Sequence, residues 1–395
     1  MKRLLLVLLA ALAACRADDR RDTVVLWHSY GGDERAALEQ IIADFNAGDS
    51  GIRIEPVAVA YDGFADKITS AIPNGNGPDL FIFAHDRLGD WRAAGLIEPI
   101  EYYVDDALAD RFRFQALALL ARDGSLYGMP MAEKWTALYY NTDLVAVPPR
   151  TTDELRAIAA ELDRRSPGTF ALAYQNMELY GHAPWLHAFG GSALDGAGEP
   201  DLDTPAAIAA LEYTRALARD GLVPREAKPT KVATLFNEGK AAMAISGPWF
   251  RQDATQVPWA LAPLPVVSET GRPLQPYYGA EGVIMSARAR DKDRAFEVMR
   301  ALTGDDAAEL RALRAHQLVP NLAVWRLPAV AGDPTLAVFA RQLEQTVPMP
   351  GNAAMRQVWA PYERVLQSVI SQGANPGDTL SAAEREVKSY LEGAE

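Results

Sequence analysis

The sequence predicts an α/β protein built as two interleaved lobes joined by a hinge, and three observations lead there. Residues 23–84 alternate strand-like and helix-like patterns in a β-α-β-α-β run, the signature of a parallel sheet wrapped by helices. A second region of the same kind begins near residue 168. The chain has 395 residues, more than one hydrophobic core usually serves, yet no long linker divides it. Pro- and Gly-marked segments around 129–134, 272–280 and 327–334 read instead as crossings between lobes.

Each element has its own warrant. TVVLW (23–27) is an apolar run of strand length. In DERAALEQIIADFN (33–46), Leu38, Ile41, Ile42 and Phe45 repeat at helical spacing, and Asp33 is the expected N-cap. Ile52, Ile54, Val57 and Val59 make a second strand around Pro56. A helix from about Asp62 to Ile72 and the strand LFIFA (80–84) complete the first run. GTFALAY (168–174) opens the second region, followed by a helix over 206–221 that Gly221 ends. A short helix near Leu235 and the strand KAAMAIS (240–246) come next. Beyond Gly304 the pattern is helical, with amphipathic stretches at 305–316, 334–346, 355–372 and 378–392.

Composition narrows the function. Hydrophobic residues make up 49% and charged residues 23%, with net charge −13 and no basic cluster. Nucleic acid and anionic membrane surfaces are therefore poor partners. MKRLLLVLLAALAAC opens with a basic pair, Lys2 and Arg3, and an apolar run too short to span a bilayer as a mature helix. It ends in Leu12-Ala13-Ala14-Cys15, which resembles a bacterial lipobox with Cys15 as the lipidated first residue. The alternative is an ordinary signal peptide with an incidental cysteine. The expectation is a lipoprotein-type signal peptide over 1–14, a polar tether over 15–22, and a chain anchored by lipid to a membrane in the periplasm or at the cell surface. Cys15 is the only cysteine, which excludes disulfides, a cysteine nucleophile and a thiolate metal site.

Catalytic signatures are missing: there is no G-x-S-x-G elbow, no P-loop and no H-E-x-x-H. His182 and His187, five apart, are poorly spaced to share a metal and are expected to pack or face solvent. No catalytic residue, metal or cofactor is expected. What stands out is a recurring arrangement at strand ends, where open parallel sheets bind ligands. WHSYGGDE (27–34), LFIFAHDR (80–87) and ISGPW (245–249) each run from an apolar strand into a turn bearing rings or charges. MPGNAAMRQVWAPYE is expected to expose Trp359 and Tyr362 near a turn. Rings stack on the apolar faces of pyranoses, and charged groups take hydrogen bonds from vicinal hydroxyls. Core packing is the better reading for Trp27, Trp259 and Trp325. For Asp86-Arg87 an acidic helix cap with a surface arginine is an equal alternative.

Four segments carry a family resemblance, in order along nearly the whole mature chain: NGNGPDLFIFAHDRLGDWRAAGLIEPI (74–100), GSLYGMPMAEKWTALYYNTDL (124–144), FNEGKAAMAISGPW (236–249) and VPMPGNAAMRQVW (347–359). They resemble the maltose/maltodextrin-binding proteins, solute receptors of ATP-driven sugar importers. The resemblance implies a periplasmic-binding-protein fold, two α/β lobes with a hinge and an interlobe ligand cleft, and no enzymatic activity. It implies lobes of 23–132 with 283–328 and 133–282 with 329–395, hinged near 132–136 and 276–282. It carries Asp86 and Arg87 over as a hydroxyl-binding pair, Glu178 and Tyr180 as an acidic and aromatic pair, and Trp249, Trp359 and Phe83 as stacking rings. Lys134 stands where the family's best-known members have a glutamate, Glu363 where they have an arginine, and Ser29 and Asp33 fall in a first loop of altered form. The expected partners are a di- or oligosaccharide, foremost maltose or a maltodextrin, and the permease subunits of an ABC importer, with the receptor itself a monomer. Alternatives are trehalose, glycerol phosphate as solute, or a secreted glycosidase.

Overall fold

The computed structural model describes residues 22–393; the expected signal peptide, Cys15 and nearly all of the tether lie outside them. The chain divides into two compact units. Unit 1 runs to Glu133 and resumes over Ala280–Val330; unit 2 covers Lys134–Gly279 and the chain from Ala331 on.

In unit 1, the strand Thr23–His28 lies between Arg53–Ala58 and Leu80–Ala84 and runs parallel to both. Leu80–Ala84 coincides with the predicted LFIFA strand. Its alternate residues serve two cores, because both faces of the sheet are covered. Leu80 and Ile82 join Ile41, Ile42 and Met299, whereas Phe81 and Phe83 join Phe64, Ile68 and Trp91. Asp79 anchors the entry to this strand. Its buried carboxylate accepts from the Val25 amide at 2.9 Å and from Arg290 Nη2 at 2.5 Å. Burial alone would raise this carboxyl, but the Arg290 and Val25 hydrogen bonds outweigh it and hold Asp79 below the usual carboxylate range.

Two expectations need correction here. The sheet is not wholly parallel, since Tyr277–Met285 pairs antiparallel with Leu80–Ala84. That strand begins within the segment 272–280 read as a crossing, and the chain passes from unit 2 to unit 1 there, between Gly279 and Ala280. It reaches the sheet from unit 2 rather than through a βαβ crossover, so nothing imposes the parallel direction. The segment 129–134, also read as a crossing, lies within a strand, Gly128–Lys134, which pairs with Tyr277–Met285, and the boundary between the units falls after Glu133. Asp33 is not an N-cap: the helix spans Gly32–Ala47, capped by Gly31 without a side-chain bond. Gly32, at the start of the helix, takes φ 50°, a conformation suited to glycine. Asp33 falls in the first turn, where its charge favours the helix dipole.

Unit 2 has a four-stranded sheet in the order Trp259–Ala262, Ala137–Asn141, Ala241–Ser246, Phe170–Ala173. Only the last two are parallel; Ala137–Asn141 opposes both its neighbours. Helices Leu179–Ala188, Pro205–Arg219, Ala353–Leu366 and Pro376–Glu392 contribute to its core. Nine of the ten residues in Leu179–Ala188 are buried, so the segment has no polar face to reveal a helical period. It went unpredicted for that reason, as did any structure for PWLHAFGG. His182 and His187 pack inside, one of the two roles the sequence left open. Burial pushes them down to about 3 and about 4, and both are neutral in ordinary buffers. Among the described residues no cluster of His, Cys, Asp and Glu is suited to a metal ion, and no helix is long and apolar enough to cross a membrane.

Candidate functional site

Each unit presents one set of candidate residues at strand ends. In unit 1, the chain leaves Leu80–Ala84 through a 3-10 turn, His85–Arg87, into the helix Leu88–Ala93. His85 is fully buried, and the Ala280 amide donates to its Nδ1 at 3.3 Å. Asp86 and Arg87 are the first polar side chains past this anchor, with Nε and Oδ2 3.9 Å apart and each partly exposed. The helix-cap alternative receives no support at the N-cap positions: these are Ala84 and Arg87, and neither caps through its side chain. Asp86 and Arg87 instead line a recess of about 230 Å³ together with Tyr61, Asp62, Asp66 and Phe83. Arg122 lies close enough to Asp86 for their charges to interact.

Three of the predicted residues stand differently. Phe83 reaches the recess only marginally, at 6% exposure, because Phe64 and Trp91 pack on its ring. Tyr61 stacks over it at 5.8 Å and 11° and is itself 63% exposed. The accessible ring of this wall is therefore Tyr61, not Phe83. Sequence reading missed it, although the signal was present. The strand Arg53–Ala58 is followed by Tyr61-Asp62-Gly63, the same strand-then-ring-and-charge order as at LFIFAHDR. Gly63 turns the chain at φ 82° into the helix Phe64–Ala71. Ser29 and Asp33 lie outside the lining of the recess. Ser29 is half-buried after Thr23–His28, and Asp33 is exposed on its helix.

In unit 2, the strand Ala241–Ser246 ends at Gly247, and the 3-10 turn Pro248–Gln252 carries Trp249. A Cβ on Gly247 would come within 2.1 Å of the Trp249 ring, so the indole can lie against this backbone only because residue 247 is glycine. Tyr139 holds the same residue from inside, its hydroxyl donating to the Gly247 carbonyl at 2.9 Å. Lys134 Nζ sits 5.6 Å from the Trp249 ring centre, a cation–π contact. The Tyr180 ring lies 6.3 Å away on another side.

Glu178 is the N-cap residue of Leu179–Ala188 but does not cap it through its side chain. Its carboxyl is raised by burial first and by the nearby Glu363 second, with Lys228 pulling the other way. Glu363 is raised by burial and opposed by the same lysine. The structure thus brings Glu178, Glu363 and Lys228 into one electrostatic neighbourhood. Nothing in the local sequence around Lys228, just ahead of the helix Pro229–Asn237, pointed to this. Trp359 is half-buried against the unit 2 core and pairs with none of the rings named above. Of the tryptophans read as core, Trp27 is buried; Trp259 and Trp325 are half-buried, donating their N–H to the Ala254 and Val319 carbonyls.

A family model for bacterial extracellular solute-binding proteins matches residues 31–309, most of this chain. The chain belongs to that family. Among other solute-binding proteins, a maltotriose-binding protein of Pyrococcus abyssi is 27% identical, over 88% of this chain and 77% of its own. A galactooligosaccharide-binding protein of Bacillus subtilis is 22% identical over 96% and 94%. A Thermus thermophilus maltotriose-binding protein, solved with maltotriose, superposes at TM-score 0.84 with 25% identity, covering 93% of this chain and 100% of that one. The family is one of binding proteins and not of enzymes, which sets aside the glycosidase alternative.

The seat of Trp249 is directly testable. Gly247→Ala is expected to move the indole off the Gly247 backbone and away from Lys134 while the strand pairing persists. Tryptophan emission and near-ultraviolet circular dichroism would shift with far-ultraviolet dichroism unchanged. Spectra identical to the parent protein would show that the indole does not depend on this glycine.

Proposed function

We propose that the protein captures a glucose-based oligosaccharide, maltose or a maltodextrin, and delivers it to the permease of an ABC importer. One observation carries this reading: the Trp249 ring, set at a strand end with Lys134 over it and Tyr180 beside it, in the unit that also holds the uncommitted carboxylate of Glu178. A ring platform with an adjacent acceptor is what a pyranose needs, since its faces are apolar and its edge is hydroxylated. In unit 1, Asp86 and Arg87 supply an acceptor and a forked donor for further hydroxyls, with Tyr61 as the accessible ring. Trp359 is assigned a second stacking role. The similar proteins that bind maltotriose support a glucose-based ligand. Glycerol phosphate is disfavoured because Asp62, Asp66 and Asp86 outnumber Arg87 in the recess. The family's extracellular character and the Leu12–Cys15 motif support a lipid anchor at Cys15, holding a monomeric receptor at the outer face of a membrane.

Titration with a sugar panel that includes maltose, maltotriose, trehalose and a galactooligosaccharide, read by tryptophan fluorescence, tests the ligand. Maltotriose is expected to change the emission. Trp249→Ala is expected to weaken binding by roughly thirtyfold or more, the scale of a central aromatic contact. Absence of any response to glucose-based sugars would overturn the assignment.

The acidic limb of binding provides a second measurement. Sugar hydroxyls donate to the charged form of Glu178, and its raised carboxyl takes up a proton at higher pH than an ordinary glutamate does. Affinity is therefore expected to fall on acidification before the usual carboxylate range is reached. Glu363→Gln removes a repulsive neighbour and moves the fall to lower pH; Lys228→Gln moves it higher. A Kd profile unaffected by both variants would remove Glu178 from the site. For the anchor, a radiolabelled fatty acid fed to cells is expected to label the parent protein and not Cys15→Ser.

A further inference from the structure

Inside unit 2, next to the Trp249–Tyr180 wall, lies a group of buried polar side chains that the sugar contacts do not use. Tyr277 and Tyr362 are 2% and 0% exposed, and His182 and His187 are 0% and 6%. The Tyr180 ring is 6.5 Å from that of Tyr277, Tyr277 meets His187 edge-on at 4.8 Å, and His182 lies 5.8 Å from Tyr362. Tyr362 also lies within electrostatic range of Tyr277, and His182 of His187.

Their polar atoms have no hydrogen-bond partner among the described residues. This holds for both tyrosine hydroxyls, for both nitrogens of His182 and for His187 Nε2. His187 Nδ1 is 2.6 Å from the Gln275 carbonyl, so its N–H points there and Nε2 is an acceptor. His182, neutral, brings one donor and one acceptor. The cluster thus offers donors from Tyr277, Tyr362 and His182 and acceptors from all four residues. Buried polar groups in native proteins are almost always bonded, and internal water serves those that protein atoms do not reach.

We propose that Tyr277, Tyr362, His182 and His187 form an internal hydration site whose bound waters position the sugar-binding side chains. The placement of the four residues gives the site this role. His182 and His187 stand on Leu179–Ala188, the helix that begins at Glu178 and carries Tyr180. Tyr362 stands on Ala353–Leu366, which carries Trp359 and Glu363. Tyr277 opens the strand Tyr277–Met285. Water bonded to all three elements fixes the spacing of Glu178 and Tyr180 from Trp359 and Glu363. The four are positioning residues and touch no sugar. The affinity readout rests on the sugar reading above, whereas the solvent and stability readouts do not.

The test is a high-resolution crystal structure of the mature chain, with a double-mutant cycle of Tyr277→Phe and Tyr362→Phe, each of which removes one oxygen. Ordered solvent within hydrogen-bond distance of both hydroxyls and of His182 is expected. Each single variant is expected to weaken sugar binding by roughly three- to tenfold. The double variant should lose less than the product of the two, because the waters are shared. Hydroxyls bonded directly to the histidines with no solvent would overturn the proposal, as would strictly independent losses or none. If the parent protein binds no sugar, the sugar reading fails alone: the solvent positions and the same cycle read on the unfolding midpoint still decide between shared water and independent side chains.

Discussion

The antiparallel register between Leu80–Ala84 and Tyr277–Met285 is the constraint on which the unit 1 recess depends. Ala84 faces Glu281 and Met285 faces Leu80, and the buried His85 extends the match by one residue through the Ala280 amide. Because the pairing stops there, Asp86 and Arg87 emerge at a fixed point. A slip of one residue would exchange the faces of Leu80 and Ile82 with those of Phe81 and Phe83. Both cores of the unit would then lose their fit. The position of two charged side chains is thus enforced by burial of the strand before them, and Asp79 pins the other end of that strand.

Unit 2 reaches a comparable result by different means. Its strand end is fixed by the Tyr139 hydroxyl on the Gly247 carbonyl, and the absence of a side chain at Gly247 seats the indole of Trp249. In unit 1 the ring on the surface is Tyr61, supported from beneath by Phe83, Phe64 and Trp91. One ring is held by a missing Cβ and the other by a stack of buried rings. Both gain rigidity from packing.

Much of this was legible in the sequence, for a physical reason. Strands covered on both faces, such as LFIFA and AAMAIS, are continuous apolar runs, and past LFIFA the charged pair Asp86-Arg87, beyond the buried His85, is partly exposed. Amphipathic helices such as Pro376–Glu392 declare themselves by period. Other elements were silent. Leu179–Ala188 is buried all round, and Tyr277–Met285 looks like a loop because Gly279 and Gly282 interrupt its pattern. Thr152–Arg165 carried a readable signal that was passed over: Thr151 accepts from the Glu154 amide at 3.2 Å, a start signal visible as Thr-x-x-Glu. The neighbourhood of Glu178, Glu363 and Lys228 joins residues far apart along the chain, and no local pattern encodes it. Phe83 lines the recess yet is largely buried, because an aromatic residue near a strand end can be either platform or support, and only burial distinguishes them.

The ammonium over Trp249 also makes stacking there an exchange. On the proposed sugar reading, a ring that takes the indole face gives up, or must share, a cation–π contact that the folded protein already holds, worth about 0.5–1 kcal/mol at an exposed site. The platform therefore rewards a ligand only by the surplus over this internal competitor. A molecule whose whole grip is one apolar ring face gains little from it, whereas one that also supplies hydroxyls to Glu178, or to the displaced Lys134, gains the full difference. On the proposed sugar reading, Lys134, at a position where the family resemblance implies a glutamate, sets a threshold that a ligand's other contacts must exceed.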